Sequence, residues 1–175
     1  MTLTASADSP SVAAAPTAHV VAVQEDIIRL RLDDPATGRL VKNEVIYILP
    51  ARAPGQRLKG EVLRVEGDMA DAQVFESTVG VGLGDAVEQT GQQLSIRLGP
   101  GLLGQVYDGL QNPLEGLAQG YGLFLPRGVS VTGLDPKAKW AFTATRRVGD
   151  KVRAGDVLGT VPEGPITHKI LVPFD

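Results

Sequence analysis

From His19 to Leu98 the chain repeatedly alternates apolar and polar residues, the period of two that sends successive side chains to opposite faces of a β-strand. Ile28, Leu30 and Leu32 alternate with Arg29, Arg31 and Asp33, which predicts a half-buried strand. Asp33, Asp34, Pro35 and Gly38 supply a corner. The EVIYIL run of Glu44–Leu49 then reads as a more fully buried strand ended by Pro50. Leu58–Glu66 and residues 69–75 flank Gly67 and Asp68, a two-residue connection with Gly first, as a type II′ hairpin turn requires. Residues 93–98 repeat the alternation, with Leu94, Ile96 and Leu98 expected inward. Six short strands in this region predict a closed or nearly closed barrel, because closure removes exposed edges.

The β pattern breaks between residues 102 and 117, where Gly104, Gly109 and Pro113 limit any helix to a turn or two. A second β-rich unit follows, with Trp140 and Phe142 as expected core anchors. Its strongest local signal is VGDKVRAGDVLG at residues 148–159. There, turns at Gly149 with Asp150 and at Gly155 with Asp156 separate short apolar strands, and Gly84 with Asp85 is a related device upstream. Residues 1–18 are dominated by Ala, Ser, Thr and Pro, with too little bulky apolar surface to offset the entropy of ordering them. The expected organisation is a disordered arm over residues 1–18, a β-barrel over 19–99, a connector with short helical turns over 100–126, and a small β-rich, barrel-sandwich-like domain over 127–175. The fold class is mainly β.

Composition supports this reading. The 175 residues are 43% hydrophobic and 21% charged, with 21 Gly, 12 Pro and only 5% aromatics, a balance that favours short strands and tight turns. Seventeen Lys and Arg against 20 Asp and Glu leave a net charge of -3. No block of like charge occurs, so a nucleic-acid partner is not expected. The absence of cysteine removes disulfide and thiolate chemistry and fits a cytoplasmic setting. No run approaches the roughly 18 apolar residues of a membrane span, so direct membrane insertion is not expected. No Lys or Arg precedes Arg29, and Pro10 and Pro16 interrupt the leader, which argues against a secretory signal.

Candidate chemistry is sparse. Gly99, Gly101 and Gly104 fit the spacing G-x-G-x-x-G, which in a dinucleotide site lays backbone N–H groups against pyrophosphate. Pro100 removes one of those donors, no long helix is predicted to follow, and Gln119 stands about where a ribose-binding acid belongs, so a strand-ending turn is the better reading. The stronger signature G-x-x-x-x-G-K-[ST] is absent, since the sequence holds no Gly-Lys pair. His19 and His168 lack second ligands at zinc-site spacing. Ser130, His168 and Asp135 form a trio only on paper, without a nucleophile elbow, and Asp33 with Asp34 reads as turn residues. No catalytic, cofactor-binding or metal-binding residue is therefore assigned.

The ordered series LKGEVLRVEGDMADAQVFESTVGVGLGDAVEQTGQQLSIRLGPGLLGQVYDGLQNPL (residues 58–114), RGV (127–129), KAKWAF (137–142), VGDKVRAGDVLGTVPE (148–163) and HKILVP (168–173) resembles the N-terminal region of the catalytic A subunit of V-type and archaeal-type rotary ATPases. The sequence departs from the family pattern at VVAVQEDIIRL, in its Ala-rich leader, and around Leu125 and Pro126. The resemblance implies a proton-translocating ATPase or ATP synthase. Its barrel would help hold A and B subunits in a ring, and its β-rich bulge would contact the peripheral stalk. It implies ATP and magnesium for the full-length parent subunit but no cofactor in this chain, and a cytoplasmic location peripheral to the membrane. The rival reading is a biotinyl- or lipoyl-type carrier or another freestanding β-domain binding module, suggested by the paired turns of VGDKVRAGDVLG. A carrier needs an exposed Lys at a hairpin tip, usually beside Met. Neither Met1 nor Met69 adjoins a Lys, and Lys169 lies in a β-patterned run.

Overall fold

The alternation between residues 18 and 93 becomes six antiparallel strands: β1 (Ala18–Gln24), β2 (Ile27–Leu32), β3 (Glu44–Leu49), β4 (Leu58–Glu66), β5 (Met69–Val74) and β6 (Ala86–Gln93). They close into a barrel in the order β1-β2-β5-β4-β3-β6. The structure is a computed structural model that describes residues 16–34, 39–122 and 127–174. Most of the expected N-terminal arm, the corner at Pro35 and Gly38, and the stretch around Leu125 and Pro126 lie outside the described residues.

Ile28, Leu30 and Leu32 on β2 point inward while Arg29 and Arg31 point out, as the period requires. They meet Ile46 and Ile48 of β3, Leu58 and Val62 of β4, Ala70, Ala72 and Val74 of β5, and Val87 of β6 in one core. Removing a side chain of this class from water stabilises the fold by about 1.5–3 kcal/mol. Small residues are needed where strands press together. A Cβ on Gly60 of β4 would lie 2.7 Å from the Gln73 carbonyl oxygen. The β4–β5 hairpin pairs Glu66 with Met69 across Gly67 and Asp68. Gly67 has φ 64° and Asp68 is not left-handed, in keeping with the II′ expectation.

The strand expected over residues 93–98 does not form. The barrel closes instead through Ala86–Gln93, whose alternation is hidden because Glu88 and Gln89, polar residues, take a buried and a half-buried position after Val87. β6 pairs with β3, and more briefly with β1 through Ala18 opposite Val87 and His19 opposite Ala86. Residue 97 finds a side chain where a strand partner was expected. Gln111 accepts the Arg97 N–H at 2.7 Å and donates to the Arg97 carbonyl at 2.6 Å, so one amide imitates a strand neighbour.

The chain divides into two compact units, one of residues up to Ser95 with Tyr121–Ser130, the other of Ile96–Gly120 with Val131–Asp175. The second unit holds all but the last residue of a helix, α1 (Leu114–Tyr121), and a three-stranded sheet of β7 (Thr143–Ala144), β8 (Val157–Glu163) and β9 (Ile166–Leu171) in that order. α1 starts directly after Pro113 and runs about two turns, buries only Leu117, and ends at left-handed Gly122. The expectation that Trp140 and Phe142 anchor a core is corrected, since they are 39% and 42% exposed. Each ring instead covers a glycine. Trp140 lies against Gly101, and Phe142 against Gly159, where a side chain would leave no room.

Candidate functional site

The GPGLL stretch is organised by a carboxylate. Gly101, at φ 105°, donates its N–H to Glu163 Oε1 at 2.8 Å, and Leu103 donates to the same oxygen at 3.3 Å. Glu163 Oε2 faces His168 Nε2 across the β8–β9 hairpin. Burial alone would raise the Glu163 pKa, but the bonds from Gly101, His168 and Leu103 together outweigh it and hold the carboxyl below the usual glutamate range. A phosphate would need those same N–H groups, and the anion already present would repel it. The residues therefore do not fit a nucleotide cradle, and no helix starts at Gly104, since α1 begins at Leu114.

His19 Nδ1 pairs with Asp33 Oδ1 at 2.6 Å. Asp135 Oδ1 accepts the Lys137 N–H at 2.8 Å, a local turn bond, while His168 is engaged by Glu163 rather than by a serine. Among the described residues no three His, Cys, Asp or Glu side chains converge to hold a metal ion. Lys169 sits within β9 opposite Thr160, and Gly164 lies at the β8–β9 tip. No described helix is long and apolar enough to cross a membrane.

The Gly-Asp turns share one geometry. Asp85, Asp150 and Asp156 each donate a backbone N–H to the carbonyl three residues earlier, that of Gly82, Arg147 and Arg153. Each also accepts that residue's N–H on its own carboxylate at 2.8, 2.8 and 3.0 Å. The intervening Gly84, Gly149 and Gly155 have φ 84°, 100° and 81°, the left-handed position of a type II turn. Asp85 adds a bond from the Ala51 N–H at 3.1 Å, which ties its turn to the end of β3.

Sequence reasoning missed the buried polar groups of the barrel. Glu44 is 4% exposed and accepts N–H groups from Val41 at 3.2 Å, Gly91 at 2.8 Å and the Gln89 amide at 3.4 Å. Arg57 lies over the Tyr47 ring at 4.2 Å and pairs with the buried Glu88. On the outer wall Arg29 and Asp71, opposite one another on β2 and β5, form a bidentate pair at 2.6 and 2.9 Å. That hydrogen bonding lowers the Asp71 pKa and raises that of Arg29. Only the Gly-Asp spacing offered a legible signal; Glu44, Glu88 and Glu163 sit in strands where charges read as outward-facing.

Two family models match the chain in order: the ATP synthase alpha/beta family beta-barrel domain over residues 33–91, and the ATP synthase alpha/beta subunit barrel-sandwich domain over residues 131–175. The chain is 51% identical over 138 residues to the V-type ATP synthase alpha chain of Treponema denticola, covering 79% of this chain and 23% of that one. It is 53% identical to the protein of the same name from Borrelia recurrentis with the same coverage. With that of Borrelia garinii subsp. bavariensis it shares 48% identity over 155 residues, 89% of this chain and 26% of that one. It thus spans about a quarter of the length of these curated relatives. With a closed six-stranded barrel followed by a small sheet, and with both domain models met in order, the chain belongs to the ATP synthase alpha/beta family and corresponds to the N-terminal region of V-type ATP synthase alpha chains.

Proposed function

We propose that the chain is the mechanical, ring-building portion of a V-type ATP synthase or ATPase A subunit. Its barrel sits among neighbouring A and B subunits, and its barrel-sandwich unit contacts the peripheral stalk. The observation that carries this reading is the colinear match of both domains to one family at about half identity. Surface chemistry supports it. In the second unit only Leu117 and Val161 are buried apolar side chains among the described residues, while Leu98 is 77% and Val148 87% exposed. A unit with so little core and so much exposed apolar surface suits coverage by a neighbour. The closed barrel has no free strand edge, so neighbours meet its outer wall and loops, where Val79 and Leu83 are exposed. ATP and magnesium are handled by polypeptide other than these residues, and the complex is cytoplasmic and peripheral to the membrane.

An affinity-tagged chain expressed in its native host is expected to copurify with ring and peripheral-stalk subunits. Migration of the chain alone, in extracts that hold the assembled complex, overturns the proposal. The purified chain is also expected to lack magnesium-dependent ATP hydrolysis, and turnover that survives removal of contaminating ATPases would contradict that.

A further inference from the structure

A cleft of about 760 Å³ opens between residues 39–42, just before β3, and the far end of β4, within the ~300–1,000 Å³ typical of small-molecule sites. Leu40, Leu63 and Val65 give it an apolar wall, Arg39, Lys42 and Arg64 give it a cationic rim, and none of its described lining residues is acidic. Arg64 is paired with Glu66. The net positive charge therefore comes from Arg39 and Lys42, whose side chains form no ion pair among the described residues.

The backbone of residues 39–44, which carries these two cations, is held by hydrogen bonds. Buried Glu44 accepts the Val41 N–H and ties the loop to β6 through Gly91 and Gln89. Left-handed Asn43 donates its N–H to the Val62 carbonyl of β4 at 2.8 Å, and Gln89 Nε2 donates to the Arg39 carbonyl at 3.3 Å. Holding the backbone beneath charged side chains before a ligand arrives lowers part of the ordering cost of binding. A guanidinium and an ammonium at the mouth of an apolar cleft select an anionic head with an apolar body, and the guanidinium fork matches phosphate oxygens in particular.

We propose that this cleft binds an organic phosphate, with its phosphate on Arg39 and Lys42 and its apolar group against Leu63 and Val65. The same chemistry is offered by a soluble phosphomonoester and by a phospholipid headgroup. The test is a titration of the full chain with phenyl phosphate, followed by amide NMR, with phenol in parallel. A second arm measures flotation with phosphatidic-acid-containing phosphatidylcholine vesicles. Saturable shifts confined to residues 39–42 and 63–67, absent with phenol and weakened at least about tenfold in the Arg39→Gln/Lys42→Gln variant, are the expected result. Both replaced side chains are exposed, so the variant keeps its fold, which its unchanged remaining spectrum checks. Flotation that phenyl phosphate competes away assigns a lipid headgroup, and phenyl phosphate binding without flotation assigns a soluble ligand. No saturable shift at these residues, equal binding of phenol, or unchanged affinity in the double variant overturns the proposal.

Discussion

Glu163 on β8 accepts the backbone N–H of Gly101, 62 positions earlier, at 2.8 Å. One carboxylate thereby closes the glycine-rich turn that sequence spacing alone could have assigned to a phosphate. Glu163→Ala leaves the Gly101 and Leu103 N–H groups without their acceptor, and their amide exchange is expected to speed up about tenfold or more while barrel amides stay protected. Unchanged exchange at both positions would remove Glu163 from this role.

The same residue sets a pH dependence. Its folded pKa is depressed, so its contribution is fully present above the ordinary glutamate range and is lost as pH falls through the lower folded value. Acid titration is expected to release the Gly101 and Leu103 amides of the native chain at pH values below that range. Release at neutral pH, or none down to full carboxyl protonation, would contradict the assignment.

The three Gly-Asp turns are geometrically alike but differ in burial, which separates their energetics. Asp85 is 5% exposed and accepts two backbone N–H groups, so Asp85→Ala is expected to destabilise the barrel by about 1–3 kcal/mol. Asp150 is exposed with one such bond, and Asp150→Ala is expected to stay within about 0.5 kcal/mol of the parent. Urea denaturation of the two variants measures the difference, and equal losses would refute the distinction.

Close packing predicts where a single methyl cannot fit. A Cβ on Gly159 would lie 2.5 Å from the Thr143 carbonyl oxygen and against the Phe142 ring. Gly159→Ala is therefore expected to part β7 from β8 and to leave the barrel transition unchanged. A native-like near-ultraviolet spectrum and unaltered exchange at Thr145, which donates to the Leu158 carbonyl at 2.9 Å, would show that the strands tolerate it.

In the barrel core, Ile46→Ala removes a fully buried side chain, and a loss of about 2–5 kcal/mol is expected in thermal or chemical unfolding. A loss below about 1 kcal/mol would mean that the site collapses around the missing atoms.

Along the chain itself, the period of two, the Gly and Asp spacing and the proline stops were enough to determine the mainly β class, the bounds of β3 and β4 and the Gly67 hairpin. Those features rest on local chemistry: side-chain alternation, left-handed glycine, and Pro50 at the end of β3. Only the tertiary structure decided that the barrel closes through Ala86–Gln93 rather than residues 93–98, because Glu88 and Glu44 enter the barrel wall with partners that are remote in sequence. It likewise decided that Leu94, Ile96 and Leu98 do not join a sheet, with Gln111 instead engaging the Arg97 backbone. That Glu163 fills the glycine turn, and that Trp140 and Phe142 cover glycines instead of filling a core, were settled there too. A charge reads as exposed until its partner is known, and that partner is supplied by folding, not by the neighbouring residues.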